Sequence, residues 1–495
     1  MLMRFCLNLN YLQIDTMLSS TYSVADSEGI GEHSNNLVQF PPELYVEIFL
    51  AARGSKGNIL RDNPHLNPTT APFTLGAVCR LWRDIVRSTP LIWSEINLQL
   101  HPTRLDDHFS YLDHFLTHSG TCPLTITMAF ENEDAAGWRP ALWYNYLEQS
   151  PIFPLIKLLL SSAPRWRCVD MTIPERWYPD FEKQSHLPNL ISMRVKPLYR
   201  DSINLTMNRR GFNLLRNSFA IQNLHIRDVW CPYADIPWHR LRRLTLKDKY
   251  TDECLYILSE AQNLVWCRLT SLAILDWPRD TPPPDVERPV ALRLLQKLIL
   301  EDFDDYRDLI PGGLNLLTNL SCPVLQSLQI STKRIPKALP ALLSNRFTSL
   351  THLAIYDFII DEETLLNCLK EINFLEELDI GVHRSRHISR SLLKAIFITP
   401  HSPESFNYTL PNLKRFSISG PMVLKNLNLD RLLLEVFRFR NPMHEQVEPK
   451  TRRLDSFGLE TVGRFVPSPL VKRELMLFVE GGLKLEVVCG GLSWI

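Results

Sequence analysis

The feature that most restricts how this chain can fold is a six-residue apolar pattern, L-x-x-L-x-[LI] with other apolar residues admitted, that returns eight times in order. It stands at Ile221-Leu224-Ile226, Leu241-Leu244-Leu246, Leu295-Leu298-Leu300 and Leu325-Leu328-Ile330. It continues at Leu350-Leu353-Ile355, Leu375-Leu378-Ile380, Leu413-Phe416-Ile418 and Leu454-Phe457-Leu459. Any amphipathic stretch supplies one such hexad; eight in succession call for a periodic structure. First positions 20 residues apart (221 to 241) or 25 apart (325 to 350, 350 to 375) leave room for one short strand and a return segment per period. A unit that small cannot bury its own apolar face. Stacked neighbours must do it, so the pattern predicts a solenoid.

These intervals suit leucine-rich repeats, in which each unit is a strand followed by a return helix. The chain departs from a regular array. Where such repeats usually place Asn or Cys to bond the turn, Phe303, Phe358 or Lys249 stands instead, and one interval stretches from 375 to 413. The expectation over 181–495 is therefore an irregular, leucine-rich-repeat-like α/β solenoid. Arg279 to Pro289, with Pro282-Pro283-Pro284, reads as a stiff surface loop between repeats. Glu474 to Val488 reads as a terminal strand pair turning at Gly481-Gly482 and capping the array.

In each hexad the leucines face inward, so the residues between and after them line the open strand face. In leucine-rich repeats that face is concave and binds partners. By alternation the target-binding candidates are Arg243, Lys247, Lys297, Gln329, His352, Tyr356, Glu377 and Asp379, with Thr245, Glu301, Ser331, Arg415 and Ser417 on the same face. The early repeats are basic, and Glu377 with Asp379 are acidic. That suits either a partner with a complementary charge gradient or a solvated surface without one.

Upstream, over 101–180, strand and helix signals alternate as a transition to the repeats. Ile96, Leu98 and Leu100 alternate with polar residues, as do Leu124, Ile126 and Met128 and then Val169, Met171 and Ile173. Between them run the helical stripes Leu105, Phe109, Leu112, Phe115, Leu116 and Ile152, Leu155, Ile156, Leu159, Leu160. The segment with Trp138, Trp143, Tyr144 and Tyr146 is either a partner-binding loop or a packed insertion. Residues 1–36 lack sustained periodicity and read as a disordered arm.

Residues 37–100 form a separate small unit. Pro41-Pro42-Glu43 opens a helix whose Leu44, Tyr45, Ile48 and Phe49 share one face. Ala71-Pro72 opens a second, with Leu75, Val78, Cys79, Trp82, Ile85 and Val86 stepping by three or four; Thr89-Pro90 stops it, and Leu91, Ile92, Trp93 and Ile96 close the unit. So many large apolar residues in so short a unit ask for a covering partner or domain; the bland reading is a helical hairpin of an ordinary core.

Pro42-Glu43-Leu44, Ile48-Phe49, Val78-Cys79-Arg80-Leu81-Trp82-Arg83 and Pro90-Leu91-Ile92-Trp93 together resemble an F-box. That family is a three-helix docking segment that binds the Skp adaptor of cullin-based ubiquitin ligases. The resemblance implies adaptor contacts at Pro42, Leu44, Ile48, Phe49, Val78, Cys79, Trp82, Leu91 and Trp93. Phe40 stands where Leu is usual, and Arg53 to Thr70, rich in Gly, Asn and Pro, is an insert read as a surface loop. Beyond this unit, Ser119, Gly120, Cys122, Pro123, Leu124 and Trp166-Arg167 are similar to passages of fungal, particularly basidiomycete, F-box proteins. The fold class implied is α+β: a small three-helix F-box followed by the solenoid.

Lys+Arg and Asp+Glu both number 54, which argues against a general nucleic-acid or anionic-membrane binder. The 10 cysteines form no CxxC pair and indicate no zinc site or disulfide framework. No signal peptide or apolar run of membrane-spanning length stands out, so the cytoplasm or nucleus is expected. Phosphate-loop, nucleophile-elbow and zinc-protease motifs are missing, and neighbouring acids such as Glu376-Glu377 point to opposite faces if they lie on a strand. The expected function is a substrate receptor, without cofactor, metal or catalytic residue. It would bind a Skp-family adaptor, through it a cullin, and a target protein; the alternative is a scaffold that uses the same repeats without ubiquitin transfer.

Overall fold

A computed structural model of the chain describes residues 40–52, 71–101, 104–130, 152–174, 177–183, 186–197, 213–227, 235–273, 289–301, 316–331, 339–358, 362–372, 374–383, 389–397, 410–420, 429–441, 453–461, 468–489 and 492–493. The expected arm over 1–36, the insert 53–70, the aromatic segment 138–146, Phe303 and nearly all of the Pro-rich loop lie outside them.

One sheet of 15 strands runs through the molecule in chain order. Its strands are β1 (Glu95–Leu100), β2 (Leu124–Phe130), β3 (Trp166–Ile173), β4 (Ser192–Pro197), β5 (Asn223–Arg227), β6 (Arg243–Tyr250), β7 (Trp266–Ala273) and β8 (Lys297–Glu301). There follow β9 (Ser327–Ser331), β10 (His352–Phe358), β11 (Glu377–Val382), β12 (Arg415–Ser419), β13 (Ser456–Thr461), β14 (Lys484–Cys489) and β15 (Leu492–Ser493). Every neighbouring pair from β1 to β14 is parallel, and only β14–β15 is antiparallel.

The hexads explain the register. Their second positions, Leu224, Leu244, Leu298, Leu328, Leu353, Leu378, Phe416 and Phe457, with Cys267 between Leu244 and Leu298, stand opposite one another from strand to strand, and all are buried. Burying one such leucine contributes about 1.5–3 kcal/mol, so a one-residue slip, which turns every leucine outward, is strongly disfavoured. Just before each strand the backbone continues the ladder. Arg242, Val265, Gln296, Gln326, Thr351, Glu376, Lys414 and Asp455 each donate an N–H, at 2.8–2.9 Å, to the corresponding carbonyl of the preceding repeat.

Helices cover one face of this sheet. After α4 (Leu105–His118), α5 (Ile152–Ser161), α6 (Tyr178–Glu182) and α7 (Thr251–Glu260) come α8 (Leu339–Arg346), α9 (Glu362–Glu371), α10 (Arg390–Phe397), α11 (Leu429–Arg440) and α12 (Pro469–Glu480). From α8 to α12 each helix packs beside the next. Their buried faces, such as Leu365, Cys368 and Leu369 of α9, join the hexad leucines in one continuous core.

Three expectations change. First, β1–β3 belong to the same sheet, with β3 paired to β4, so neither the transition unit 101–180 nor a boundary at 181 exists within it. β1 likewise leaves the docking segment for the sheet, and strands alternating with helices make this region α/β. Second, the array contains strands the hexad missed: in β4 the pattern reads Leu190-Met193-Val195, and in β7 Leu264-Cys267-Leu269, where a small thiol replaces leucine. Third, Glu474 to Glu480 is helical and only Lys484 onward is strand. Val471, Leu475 and Phe478, three and four apart, give that stretch a buried helical stripe. The turn itself does fall at Gly481-Gly482, with Gly482 at φ +97°.

Where regular repeats carry an Asn turn, this chain has a left-handed bulge. Asp248, Ser271 and Asp357, each two residues past the last hexad position, sit at φ 55–57°. Asp tolerates that region better than most residues because its short side chain bonds locally. The bulge turns the next residue inward: Lys249 and its cross-strand partner Leu272 are only 3% and 2% exposed.

Candidate functional site

Among the described residues two surfaces remain uncovered, a helical unit at one end and the helix-free face of the sheet. The unit consists of α1 (Pro42–Ala52), α2 (Ala71–Val78) and α3 (Arg80–Ser88), then a short 3-10 turn over Pro90–Trp93. The single helix expected from Ala71 to Arg87 is broken at Cys79. There the backbone is extended (φ −159°, ψ 172°), and Sγ caps α3 by accepting from the Trp82 N–H at 3.4 Å. Arg83 Nε donates back to the Gly76 carbonyl at 2.9 Å, tying α3 to α2.

Aromatic packing decides which side chains are core. On α1, Tyr45 and Phe49 turn toward α3, where Phe49 lies with its ring 4.8 Å from that of Trp82. Trp93 packs against α4, with His114, Phe115 and His118 rings at 5.0, 5.2 and 4.8 Å, and its Nε1 donates to the Val86 carbonyl at 2.8 Å. Burial, then His118 and Arg87, hold His114 below the usual imidazole range.

Phe49 and Trp93 are therefore buried in the chain's own core and offer no contact surface, a correction to the adaptor-binding set; Trp82 is half-buried beside them. Pro42, Leu44, Ile48, Val78, Cys79 and Leu91 are exposed. Leu44 and Ile48, four apart on the side of α1 turned from α3, keep 48% and 44% of their surface in water. Leu81 and Phe40, which the resemblance did not single out as contacts, join them. Seven of the 14 exposed large apolar side chains among the described residues lie between Phe40 and Leu91, so exposed apolar surface is concentrated in this unit.

On the sheet, the predicted candidates share the helix-free face. Arg243 is exposed; Lys247, Lys297, Gln329, His352, Tyr356, Glu377 and Asp379 are half-buried. They fall into rows across the strands. One row runs Asn223, Arg243, Trp266, Lys297, Ser327, His352, Glu377, Arg415, and the next runs Arg194, His225, Thr245, Arg268, Ile299, Gln329, Ala354, Asp379. Arg194 and Arg268 lie on β4 and β7, which escape the hexad; His225 and Arg227, on β5, were legible by alternation within and after the first hexad.

The charges are arranged unequally. Around β10 and β11 the acids have local partners: His352 Nε2 lies 3.0 Å from Asp379 Oδ2 and its Nδ1 3.5 Å from Glu377 Oε2, while Arg415 binds Glu377. Tyr356 is pushed up by burial and the Asp379 charge. In the basic half, Arg194 pairs with Asp170 at 3.4 Å, Arg227 with Asp248 at 3.4 Å, and Arg268 grips Glu301 with two nitrogens at 2.7–3.0 Å. Burial first, then Arg194, Arg268, Lys247 and Arg227, push the His225 imidazole down to about 3, so it is neutral at pH 7.

Among the described residues no cluster of three or more His, Cys, Asp or Glu could hold a metal, and no helix is long and apolar enough to cross a membrane. No family model matches the chain, and no curated protein does. Among solved structures it is compared with a leucine-rich-repeat protein of Leptospira interrogans, 11% identical, over 79% of this chain and 99% of that one, with a TM-score of 0.18. The solenoid assignment rests on the chain's own sheet and register.

Proposed function

We propose that this protein is the substrate receptor of a cullin-type ubiquitin ligase. The F-box-like helices dock a Skp-family adaptor, the leucine-rich-repeat-like sheet holds a target protein, and recruited enzymes transfer ubiquitin. The chain performs no bond chemistry itself; it raises the concentration of target lysines near the charged thioester. The observation that carries the reading is the exposure of Leu44, Ile48, Val78, Leu81 and Leu91 on a unit whose inner face is already satisfied by Phe49, Trp82 and Trp93; we take them together as an apolar ledge. An apolar surface in that position, combined with the ordered F-box-like motifs, is what an adaptor needs.

The test is calorimetric titration of the folded chain with a purified Skp-family adaptor, compared with a Leu44→Asp/Ile48→Asp variant. Each side chain leaves about half its surface to be covered, worth about 0.8–1.5 kcal/mol apiece. Their loss together should weaken binding at least 10-fold. Equal affinity of variant and wild type would remove the ligase reading and leave the repeats as an interaction scaffold.

A further inference from the structure

Among the described residues, Arg243, Lys247 and Lys297 make no ion pair with the protein's own carboxylates, although their neighbours Arg194, Arg227 and Arg268 are all matched. The three cations share the helix-free face. Arg243 and Lys247 are four residues apart on β6, about 13 Å along an extended strand, and Lys297 lies two strands across from Arg243, about 10 Å away. Trp266 stands between Arg243 and Lys297 in the same row, half-buried, and Thr245 forms the floor beside it.

Resting on the reading that the sheet holds a target, we propose that this patch docks an extended acidic segment of that target, with carboxylates on Arg243, Lys247 and Lys297 and an apolar side chain on Trp266. Charge complementarity selects the occupant. Three uncompensated positive charges in an area of about 10 by 13 Å match a run of some four residues at 3.3–3.4 Å each. A nucleic acid would need a longer basic track, and here the track ends: β9 offers Ser327, Gln329 and Ser331, and beyond it β11 places the acids Glu377 and Asp379 on the same face. With equal numbers of basic and acidic residues, 54 each, the chain has no net field to hold a polyanion loosely. The neutral His225 adds no charge but leaves the surrounding cations unscreened by a carboxylate at its position.

The experiment is fluorescence anisotropy of the full chain with a labelled Gly-flanked peptide containing Glu-Glu-Leu-Glu-Glu, against its Lys-Lys-Leu-Lys-Lys counterpart and a hexameric uridine RNA. Saturable binding of the acidic peptide alone is expected. Raising salt from 50 to 300 mM should weaken it several-fold, and Arg243→Glu/Lys247→Glu should weaken it at least 10-fold. These exposed and half-exposed sites should leave thermal stability and adaptor affinity unchanged. No binding of the acidic peptide, equal binding of the basic one, tighter binding of RNA, or a charge-reversed variant that binds normally would each overturn the proposal. Because adaptor affinity is read on the same preparation, a wild-type chain that binds the adaptor but not the acidic peptide overturns only this inference, and one that binds the peptide but not the adaptor overturns only the ligase reading.

Discussion

Replacing Lys249 by Leu should destabilise the solenoid, although the next repeat already carries a leucine at that place. The left-handed Asp248 turns Lys249 into the core, where Nζ meets Glu253 Oε1 at 2.9 Å and both side chains are almost wholly buried, 2% and 1% exposed. Removing the ammonium takes its cation from a buried carboxylate, a loss of about 3–5 kcal/mol. That is a third or more of an ordinary domain's stability of about 5–15 kcal/mol. Removing both charges is different in kind. Lys249→Leu/Glu253→Leu replaces the pair with the chemistry of Leu272 in β7, and should return to within about 1 kcal/mol of wild type or exceed it. A repeat array need not unfold in one step, so urea denaturation followed by circular dichroism should be joined to hydrogen exchange of the β6–α7 amides, which reads local free energy. If Lys249→Leu costs less than about 1 kcal/mol, or the double variant is as damaged as Lys249→Leu alone, the bulge-and-pair reasoning fails.

The remaining expectations concern other parts of the fold. Trp82→Ala should lose about 3–5 kcal/mol, because its ring fills the space between Phe49 and Tyr45, while Leu44→Asp should change stability by no more than about 0.5 kcal/mol; thermal melts of the two separate core from ledge. Gly420 holds φ +141°, and an added Cβ would lie 2.9 Å from Val382 Cβ. Gly420→Ala should therefore cost about 1–3 kcal/mol, seen as a lower urea midpoint. His225, at about 3 in the folded chain against 6.5 in a free imidazole, takes up its proton only on unfolding as pH falls. Its contribution is complete above pH 6.5 and shrinks toward pH 3, by about 2 kcal/mol at pH 5. His225→Gln, with Arg194, Arg227, Lys247 and Arg268 left in place around it, should show a correspondingly shallower loss between pH 7 and 5.

The sequence displayed its repeat wherever Leu, Ile or Phe filled the inner positions, and all eight hexads are strands of the sheet. It concealed the repeat where the side chain was merely small, as at Cys267, or where valine and methionine stood in, as in β4. The continuity of the sheet through β1–β3 was hidden for another reason: pairing between strands separated by long helices leaves no local trace, so alternating stretches looked like a transition. Backbone geometry was the least legible. Nothing in the residue pattern before Lys249 announces a left-handed Asp, and a lysine past a hexad naturally reads as exposed. On the candidate ledge, spacing identified an apolar face for α1 but could not say which residues of that face pack inward. The T-shaped and tilted stacking of Phe49, Trp82 and Trp93 decided it, and placed two expected contact residues in the interior.

The central claim is that the apolar ledge beside α1 and α3 is a socket for an adaptor that leads to a cullin. Light scattering during size exclusion, on a mixture of the full chain, a purified Skp-family adaptor and the adaptor-binding portion of a cullin, addresses it most directly. One species with the summed mass of all three is predicted, splitting into free chain and adaptor–cullin pair when Leu44 and Ile48 are both Asp. A wild-type chain that runs alone, or that pairs only with a second copy of itself, would contradict the account.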